Sequence, residues 1–401
     1  MRREQSDRYR YTLQEDEPPY LPTSFVGRKR EIEYGLNIIL DKDKREASCG
    51  GEEESARFLL IKGPRGTGKT WYTYELSRIL ENSKTPVIGI DLDRYSGKNP
   101  AWSVTDIMFN IGYSTGATDE EIRGVDMGAI YLNLFTHLRR FLESSGKLVV
   151  VVDHLYPPNW HLFPLLEDYV LELLATLPET RIVLVVGARP YCFRTPELLK
   201  RSTSLQLQPF SEASFTEEQL RRQVGKTALD SQLIHNFTGG NPLANYLLGR
   251  ALKKGDLAVA LNETVEGMLS RVPCDQRQQV REIMEALCVL RSFCDSSIPM
   301  MLAAYHDNLS YSSCSWTAVR SICITLVESN VAYWEPSLRR YVLDPSIRMV
   351  LEHYLKEASP ELWRILHNAA LCLYNNWAKK YPQTREIWKQ EAQYHENKLN
   401  L

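Results

Sequence analysis

The stretch that decides the fold is Phe58-Leu59-Leu60-Ile61-Lys62-Gly63-Pro64-Arg65-Gly66-Thr67-Gly68-Lys69-Thr70. It opens with four consecutive apolar residues, a run that is typical of a strand buried on both faces of a sheet. A helical pattern begins at about Lys69. The eight residues from Gly63 onward match the pattern G-x-x-x-x-G-K-[ST], and they occupy the strand-to-helix position that this pattern requires.

The glycine-rich segment predicts a cradle for the phosphate groups of a nucleotide. Glycine tolerates the backbone conformations that turn N–H groups inward, and the helix N-terminus adds partial positive charge. We expect Lys69 to reach the β- and γ-phosphates and the Thr70 hydroxyl to bind Mg²⁺. The alternative is a tight glycine turn without a ligand. The loop residues that we expect to bind the nucleotide are Gly63, Pro64, Arg65, Gly66, Thr67, Gly68, Lys69 and Thr70.

Strand and helix patterns alternate from Phe58 to about Phe210. The further strands are predicted at Pro86–Leu92, Lys147–Val152, Arg181–Val186 and Leu205–Leu207, and the helices at Met127–Ser145 and Leu162–Leu177. Such alternation indicates a parallel sheet with helices on both faces. The fold class is therefore predicted to be α/β for this part of the chain.

Two charged residues follow buried strands, where the ligands of parallel sheets gather. Asp153 comes after an unbroken run of valines, and we expect it to hold Mg²⁺ through water. Arg189 follows the strand at Arg181–Val186, and we expect its guanidinium to contact the γ-phosphate. The alternatives are a strand-ending aspartate that caps the next turn and a surface arginine before Pro190.

Strand signals nearly vanish after Phe210. Helices are predicted at Glu217–Val224, Ser231–Phe237, Leu243–Lys253, Arg277–Leu290, Ile298–Tyr305 and Thr317–Ser329, and two strands at Val331–Trp334 and Arg340–Leu343. The last three helices and the two strands suggest a winged helix-turn-helix. The predicted domains are a flexible arm (1–22), a core (23–210), a helical lid (211–272), a winged-helix-like domain (273–355) and C-terminal helices that resemble the start of a repeat (356–401).

Length and composition exclude several classes of protein. A chain of 401 residues is too long for one ordinary domain. Lysine and arginine number 48 against 50 aspartates and glutamates, so no bulk charge attracts nucleic acid or a membrane surface. Eight cysteines without a C-x-x-C pair argue against a zinc site and a disulfide framework. The N-terminus lacks a secretory pattern and the apolar runs are short, so we expect a cytoplasmic protein.

The ordered motifs resemble those of the STAND ATPases, the signal-transduction branch of AAA+-like P-loop proteins. This branch includes plant disease-resistance ATPases, apoptotic ATPases and many bacterial multidomain regulators. The resemblance covers about residues 23–350. The matching segments are Phe25–Arg28 (the family's hydrophobic–hydrophobic–Gly–Arg motif), Gly63–Thr70 (Walker A), Val149–Asp153 (Walker B), Gly187–Arg189 (sensor 1), Leu207–Phe210 (the approach to the lid), Gly240–Leu243 (G-x-P) and Leu343–Arg348 (the end of the winged helix).

The resemblance implies a P-loop NTPase core, a helical lid and a winged helix, with ATP or ADP as the nucleotide and Mg²⁺ as its metal. It places Val26, Gly27, Arg28 and Pro242 near the adenine, and it assigns catalytic roles to Lys69, Asp153 and Arg189. His154 departs from the pattern, because the family usually has an acid directly after the Walker B aspartate. A neutral histidine is a weak substitute for a carboxylate, so any hydrolysis is expected to be slow.

The function implied by the resemblance is a nucleotide-controlled switch that associates with itself or with a protein effector. The first alternative is an AAA+ regulator or initiator that binds nucleic acid. Its winged helix offers four arginines for this purpose, Arg320, Arg339, Arg340 and Arg348. The second alternative is an enzyme or motor with sustained ATP hydrolysis.

Overall fold

The computed structural model describes residues 18–40, 56–187, 193–225, 229–253, 255–307 and 315–400, with only the backbone of residues 157 and 158. The chain forms two compact units. Within the described ranges, the first unit comprises the residues of Pro19–Gly63 and Thr67–Gln208, and the second comprises Pro18, Pro64–Gly66 and the residues from Pro209 onward. Across the described ranges, none of the helices combines the length and the apolar character needed to cross a bilayer.

The first unit is built around a parallel sheet. Its strands are β1 (Phe58–Lys62), β2 (Val87–Asp91), β3 (Leu148–Leu155), β4 (Thr180–Val186) and β5 (Ser202–Gln206). Their order across the sheet is β2-β3-β4-β1-β5, and every pairing is parallel. The predicted parallel α/β core is confirmed, and β4 separates the strand before the glycine-rich loop from the strand that carries Asp153.

Helices cover both faces of this sheet. They are α1 (Lys29–Leu40), α2 (Lys69–Asn82), α3 (Pro100–Ser114), α4 (Asp119–Ile122), α5 (Met127–Ser145), α6 (Phe163–Leu166), α7 (Glu172–Thr176) and α8 (Pro196–Lys200). Leu59 and Ile61 of β1 pack with α1 and α2, whereas Phe58 and Leu60 pack on the side of α3 and α5. Because successive strand residues point to opposite faces, burial of both faces explains why the apolar run is unbroken.

The segment after β3 differs from the single helix predicted at Leu162–Leu177. It consists of a 3-10 turn at Pro157–Leu162, then α6, a π-helical turn at Glu167–Leu171, and α7. Glu167 is fully buried at the start of the π turn, and its carboxylate accepts the backbone N–H groups of Arg194 and Thr195 at 3.1 and 2.7 Å. This contact between distant residues coincides with the change from α-helix to π-helix. The spacing of apolar residues in the sequence does not indicate that change.

The second unit is mostly helical. Its helices are α9 (Ala213–Gln223), α10 (Ser231–Thr238), α11 (Pro242–Ala251), α12 (Leu257–Met268), α13 (Cys274–Leu287), α14 (Ile298–Tyr305), α15 (Trp316–Glu328), α16 (Pro345–Ala358), α17 (Pro360–Lys380) and α18 (Arg385–Leu399). An antiparallel hairpin of β6 (Ala332–Glu335) and β7 (Arg340–Leu343) precedes α16. One continuous apolar core runs through these elements, from Leu220 to Ala392.

Candidate functional site

The glycine-rich loop joins β1 to α2, as the sequence predicts. Gly63 and Gly66 have φ values of 149° and 77°, in the region that side chains disfavour. A Cβ atom on Gly63 would lie 2.4 Å from the carbonyl oxygen of Leu207, and one on Gly66 would lie 2.5 Å from Oδ1 of Asn241. The loop conformation therefore needs glycine at both positions, for the backbone angle and for the space.

Lys69 is the first residue of α2, and its side chain is only 5% exposed. Its Nζ atom donates a hydrogen bond of 2.9 Å to the carbonyl oxygen of Gly63 and lies 5.7 Å from the ring centroid of Tyr156. The ammonium group is thus folded back over the start of the loop. Thr70 follows on the same helix, half-buried, with its carbonyl accepting the Thr73 hydroxyl at 2.8 Å. The cation of Lys69 and the positive end of α2 therefore lie beside the same loop.

Arg28 precedes the loop in the sequence and contacts it through its side chain. Gly27 and Arg28 both have positive φ values, 66° and 63°, directly before α1. The Arg28 guanidinium donates from Nη2 to the carbonyl oxygen of Thr67 at 3.1 Å and also to that of Gln208, while Nη1 pairs with Glu31 at 3.1 Å. Burial lowers the pKa of Arg28, and Glu31 opposes this effect. The side chain of Arg28 thus bonds to backbone carbonyl groups, one of them in the loop.

Val26, an apolar residue of the same motif, is buried within the first unit. This burial is consistent with a role of Val26 in packing. The adenine contacts that the family resemblance implies for Val26, Gly27 and Arg28 remain predictions.

Pro64–Gly66, the tip of the loop, belongs to the second unit, where hydrogen bonds hold its backbone. The Arg65 backbone N–H donates to Oδ2 of Asp344 at 2.9 Å. The Arg65 carbonyl accepts from Nδ2 of Asn241 at 2.7 Å, and the Gly66 carbonyl accepts from the backbone N–H of Leu243 at 3.1 Å. Hydrogen bonds to polar partners therefore fix the backbone of this tip.

Asn241 and Asp344 contact the loop, although nothing in the sequence pattern indicates these contacts. Both precede a proline and cap a helix: Oδ1 of Asn241 accepts from Ala244 N, and Oδ1 of Asp344 accepts from Ser346 N. The Asn-Pro and Asp-Pro pairs signal helix starts in the sequence, but they do not reveal the contact with Arg65. The predicted adenine-side residue Pro242 opens α11, and its carbonyl accepts from Nε2 of Gln219 at 2.7 Å.

Asp153 lies near the end of β3 and is fully buried. Its Oδ1 accepts the backbone N–H of His154 at 2.6 Å, whereas its Oδ2 has no hydrogen-bond partner among the residues that the structure describes. A buried carboxylate oxygen without a donor is costly unless a cation or water satisfies it. A carboxylate and a threonine hydroxyl are the hard oxygen ligands that Mg²⁺ prefers, so the donor set of Asp153 and Thr70 fits this metal.

His154 is held by carboxylates at the end of the neighbouring strand. Its Nδ1 lies 2.8 Å from Oδ1 of Asp91 and 3.5 Å from Oδ2 of Asp93. Burial raises the pKa of Asp91, but the interactions with His154, the backbone N–H of Asp93 and the charge of Arg94 together outweigh this effect, so the pKa is lowered overall. His154 has a φ of 62° where the pairing of β3 with β4 shifts register, and Asn159 binds its carbonyl at 2.9 Å. The side chain of His154 is thus held in a buried hydrogen-bonded pair with Asp91.

Arg189, the predicted γ-phosphate contact, lies outside the residues that the structure describes. The structure therefore brings Arg28 and Lys69 to the glycine-rich loop, and it places Asp153 two strands away from β1 in the same sheet. For Arg189 the expectation from the sequence stands as a prediction.

Comparison with known proteins supports the fold. No protein-family model matches the sequence, and no curated protein matches it. Among solved structures, the chain is similar to the Walker-type ATPase paby2304 of Pyrococcus abyssi, at 14% identity over 84% of this chain and 98% of that chain, with a TM-score of 0.54. Cdc6p from Pyrobaculum aerophilum aligns at 14% identity over 85% and 97% of the two chains, with a TM-score of 0.39 that is too low to support a conclusion.

The similarity to the Pyrococcus protein, at this identity, is evidence about the fold alone. It agrees with the parallel sheet, with the glycine-rich loop between β1 and α2, and with the mostly helical second unit. The chain has a P-loop NTPase fold followed by a helical C-terminal region.

Proposed function

We propose that this protein binds ATP or ADP with Mg²⁺ and acts as a STAND-type molecular switch. The observation that carries the proposal is the geometry of the Gly63–Thr70 loop, which starts α2 directly beside the buried ammonium group of Lys69. A helix N-terminus, a loop of glycines at positive φ and a lysine together form a site for the phosphates of a nucleotide. The name of the Pyrococcus ATPase, a Walker-type ATPase, is consistent with this ligand.

Each residue of the proposed site has its own role in nucleotide binding. Lys69 exchanges its bond to the Gly63 carbonyl for the β- and γ-phosphates. Thr70 and Asp153 would hold Mg²⁺, which would supply positive charge to neutralise the phosphates. Arg189 is the proposed contact of the γ-phosphate. Val26, Gly27, Arg28 and Pro242 are the proposed adenine-side residues on the strength of the family resemblance.

We propose that hydrolysis is slow. The position after Asp153 is the one that carries an acid in STAND relatives, and here it is His154. The Nδ1 atom of this histidine is bonded to Asp91, so the side chain is held by a carboxylate at the end of β2. His154 itself therefore offers no carboxylate to polarise an attacking water.

The switch itself rests on differential affinity. A ligand shifts a conformational equilibrium only as far as it binds one state better than the other. In the second unit, Asp344 accepts the N–H of Arg65, a donor that a phosphate at the loop would also attract. We propose that ADP favours a closed form and ATP an open form that associates with itself or with an effector. The order α13, α14, α15 and the β6–β7 hairpin agrees with the proposed winged helix.

A nucleic-acid-binding regulator is the second candidate, and the side-chain contacts disfavour it. The Arg340 guanidinium lies 4.0 Å from the ring centroid of Trp388 and 5.4 Å from that of Trp377. Arg348 donates to the Cys288 carbonyl and pairs with Glu352, at 3.2 and 3.1 Å. Two of the four arginines that this function would use are therefore engaged within the chain. DNA affinity with a steep salt dependence would restore this candidate.

The decisive experiment is isothermal titration calorimetry with ADP and ATP on the wild type and on Lys69→Ala. Loss of binding in Lys69→Ala supports the proposal, and unchanged affinity contradicts it. Lys29→Ala is the matched control, because Lys29 is also the first residue of a helix but is exposed on α1. The mass of the wild-type assembly, measured with ADP and with a non-hydrolysable ATP analogue, then tests the switch. The same mass with both nucleotides would contradict nucleotide-controlled self-association.

A further inference from the structure

The Arg28 guanidinium donates to the carbonyl oxygen of Thr67 inside the glycine-rich loop. This carbonyl shares its peptide group with the N–H of Gly68. In a planar trans peptide the C=O and the N–H point in opposite directions. A donor that fixes the Thr67 carbonyl therefore also fixes the direction of the Gly68 N–H, away from Arg28.

The same relationship recurs at the tip of the loop within the second unit. Asn241 holds the carbonyl of Arg65, which directs the N–H of Gly66 away from Asn241. The backbone N–H of Leu243 holds the carbonyl of Gly66, which directs the N–H of Thr67 in the same manner. Three consecutive loop carbonyls thus accept hydrogen bonds from outside the loop. Of the three donors, only Arg28 is charged.

The charge of Arg28 adds a second effect. A hydrogen bond from a charged donor is about twice as strong as a neutral one, and it polarises the peptide so that the opposite N–H becomes a better donor. The Arg28 side chain is mostly buried and pairs with Glu31, which holds the guanidinium in one geometry. Its backbone φ of 63° is uncommon for an arginine, so the surrounding structure maintains this conformation.

We infer that Arg28 is a positioning residue for the phosphate cradle, and that its guanidinium orients the Gly68 N–H toward the diphosphate of the nucleotide. This inference rests on the proposed nucleotide binding and changes the role that the family resemblance implies for Arg28. Its side chain acts on the phosphates through the loop backbone and does not contact the base. Its contact with the Gln208 carbonyl adds a second fixed point, at the last residue of the first unit.

The experiment measures the affinities of ADP, pyrophosphate and adenosine for Arg28→Met, by competition with a fluorescent ADP analogue. We expect the affinities of ADP and pyrophosphate to fall about tenfold or more, because a charged hydrogen bond that preorganises the loop is lost. The affinity of adenosine should not change. Arg30→Met is the matched control, because Arg30 is exposed two residues away and its loss removes the same charge.

Each other outcome overturns the inference. Equal losses for adenosine and ADP would assign Arg28 to the base, and unchanged affinities for all three probes would remove its role. Arg28→Lys, which keeps a charged donor, should recover part of the ADP affinity, and it carries the test if Arg28→Met fails to fold. The experiment distinguishes failure of the two proposals. A wild type that binds none of the probes contradicts nucleotide binding. An Arg28→Met variant that binds ADP as tightly as the wild type contradicts only the positioning role.

Discussion

The Nδ1 atom of His154 lies 2.8 Å from a carboxylate oxygen of Asp91 at the end of the neighbouring strand. Asp91 pairs in register with Asp153, so these three residues lie at one edge of the sheet. His154 and Asp91 are both buried, and their hydrogen bond satisfies polar atoms that would otherwise be costly there. The histidine after Asp153 is therefore part of the structure of this edge, which has consequences for hydrolysis.

The substitution His154→Glu, made together with Asp91→Asn, should increase ATP turnover. A carboxylate at position 154 can polarise water, a contribution of about 10²–10⁴-fold in general base catalysis. The second substitution avoids placing a new carboxylate against Asp91. The measurement is steady-state phosphate release, with His154→Gln and Asp91→Asn as controls that add no carboxylate. A wild type that already turns over several times per second, and slows on this change, would contradict slow hydrolysis.

The substitution Asp153→Asn should abolish the effect of Mg²⁺ on ATP affinity. The amide keeps an acceptor for the His154 N–H but loses the charge at Oδ2, the oxygen that has no donor in the described part of the chain. Unfolding without ligand should be unchanged or require more denaturant, because a buried charge is removed. Calorimetry with Mg²⁺ and with EDTA measures the difference, and Asp168→Asn at an exposed site is the control. A variant with the same Mg²⁺ enhancement as the wild type would exclude Asp153 as a ligand.

The substitution Gly66→Ala should weaken nucleotide binding by tenfold or more. Its Cβ would lie 2.5 Å from Oδ1 of Asn241 and 2.8 Å from Cβ of Leu243, so the tip of the loop must shift. The positive φ alone costs about 1–2 kcal/mol for a residue with a side chain. Gly116→Ala separates the two effects, because Gly116 has a φ of 91° but no atom within 4 Å of the new Cβ. Equal behaviour of the two variants in urea unfolding and in ADP titration would show that the contact with Asn241 is unimportant.

A buried histidine pair should make stability depend on pH. His367 of α17 and His395 of α18 are fully buried, and their Nδ1 atoms lie 2.9 Å apart. Burial lowers the pKa of His367 to about 4, opposed by Glu352. Burial and the neighbouring His367 lower the pKa of His395 to about 3. Other charged groups facing the pair, all of them cations that disfavour a histidinium, are Arg291, Arg348, Lys356 and Lys398.

The sign of this dependence follows from the proton balance. Below about pH 6.5 the unfolded histidines bind protons and the folded pair does not, so acid favours unfolding. The uncharged pair therefore imposes no loss of stability above pH 6.5. Below that pH the free energy of unfolding falls as the pH decreases toward the pKa values of the folded histidines. At pH 5 we expect a loss of about 2 kcal/mol for each histidine.

Urea unfolding at pH 7.5 and at pH 5 measures this loss. His367→Gln should reduce the difference between the two pH values by about half, since one titrating group is removed, whereas His306→Gln at an exposed site should not change it. If His367→Gln retains the whole difference, the pair does not titrate in this range.

The local pattern of the sequence predicted the elements that rest on burial. The run at Phe58–Ile61 and the valines before Asp153 became β1 and β3 because strands buried on both faces consist of apolar residues. The pattern did not identify α3, although Asn99 and Pro100 form a helix start in which Oδ1 of Asn99 accepts the Trp102 N–H. It also predicted one helix where α6, a π turn and α7 occur, because burial of Glu167 by distant N–H groups leaves no periodic signal.

The sequence by itself determined the strand, the glycine-rich loop and the helix from Phe58 onward, and it singled out Lys69 and Asp153. These features are local, because backbone conformation and burial depend on neighbouring residues and their period. The partners of the loop were decided only by the tertiary structure. Arg28 lies 39 positions from Thr67, Asn241 lies 176 from Arg65, and Asp344 lies 279 from Arg65. Such hydrogen bonds are invisible in a sequence because they depend on which distant segments the folded core brings together.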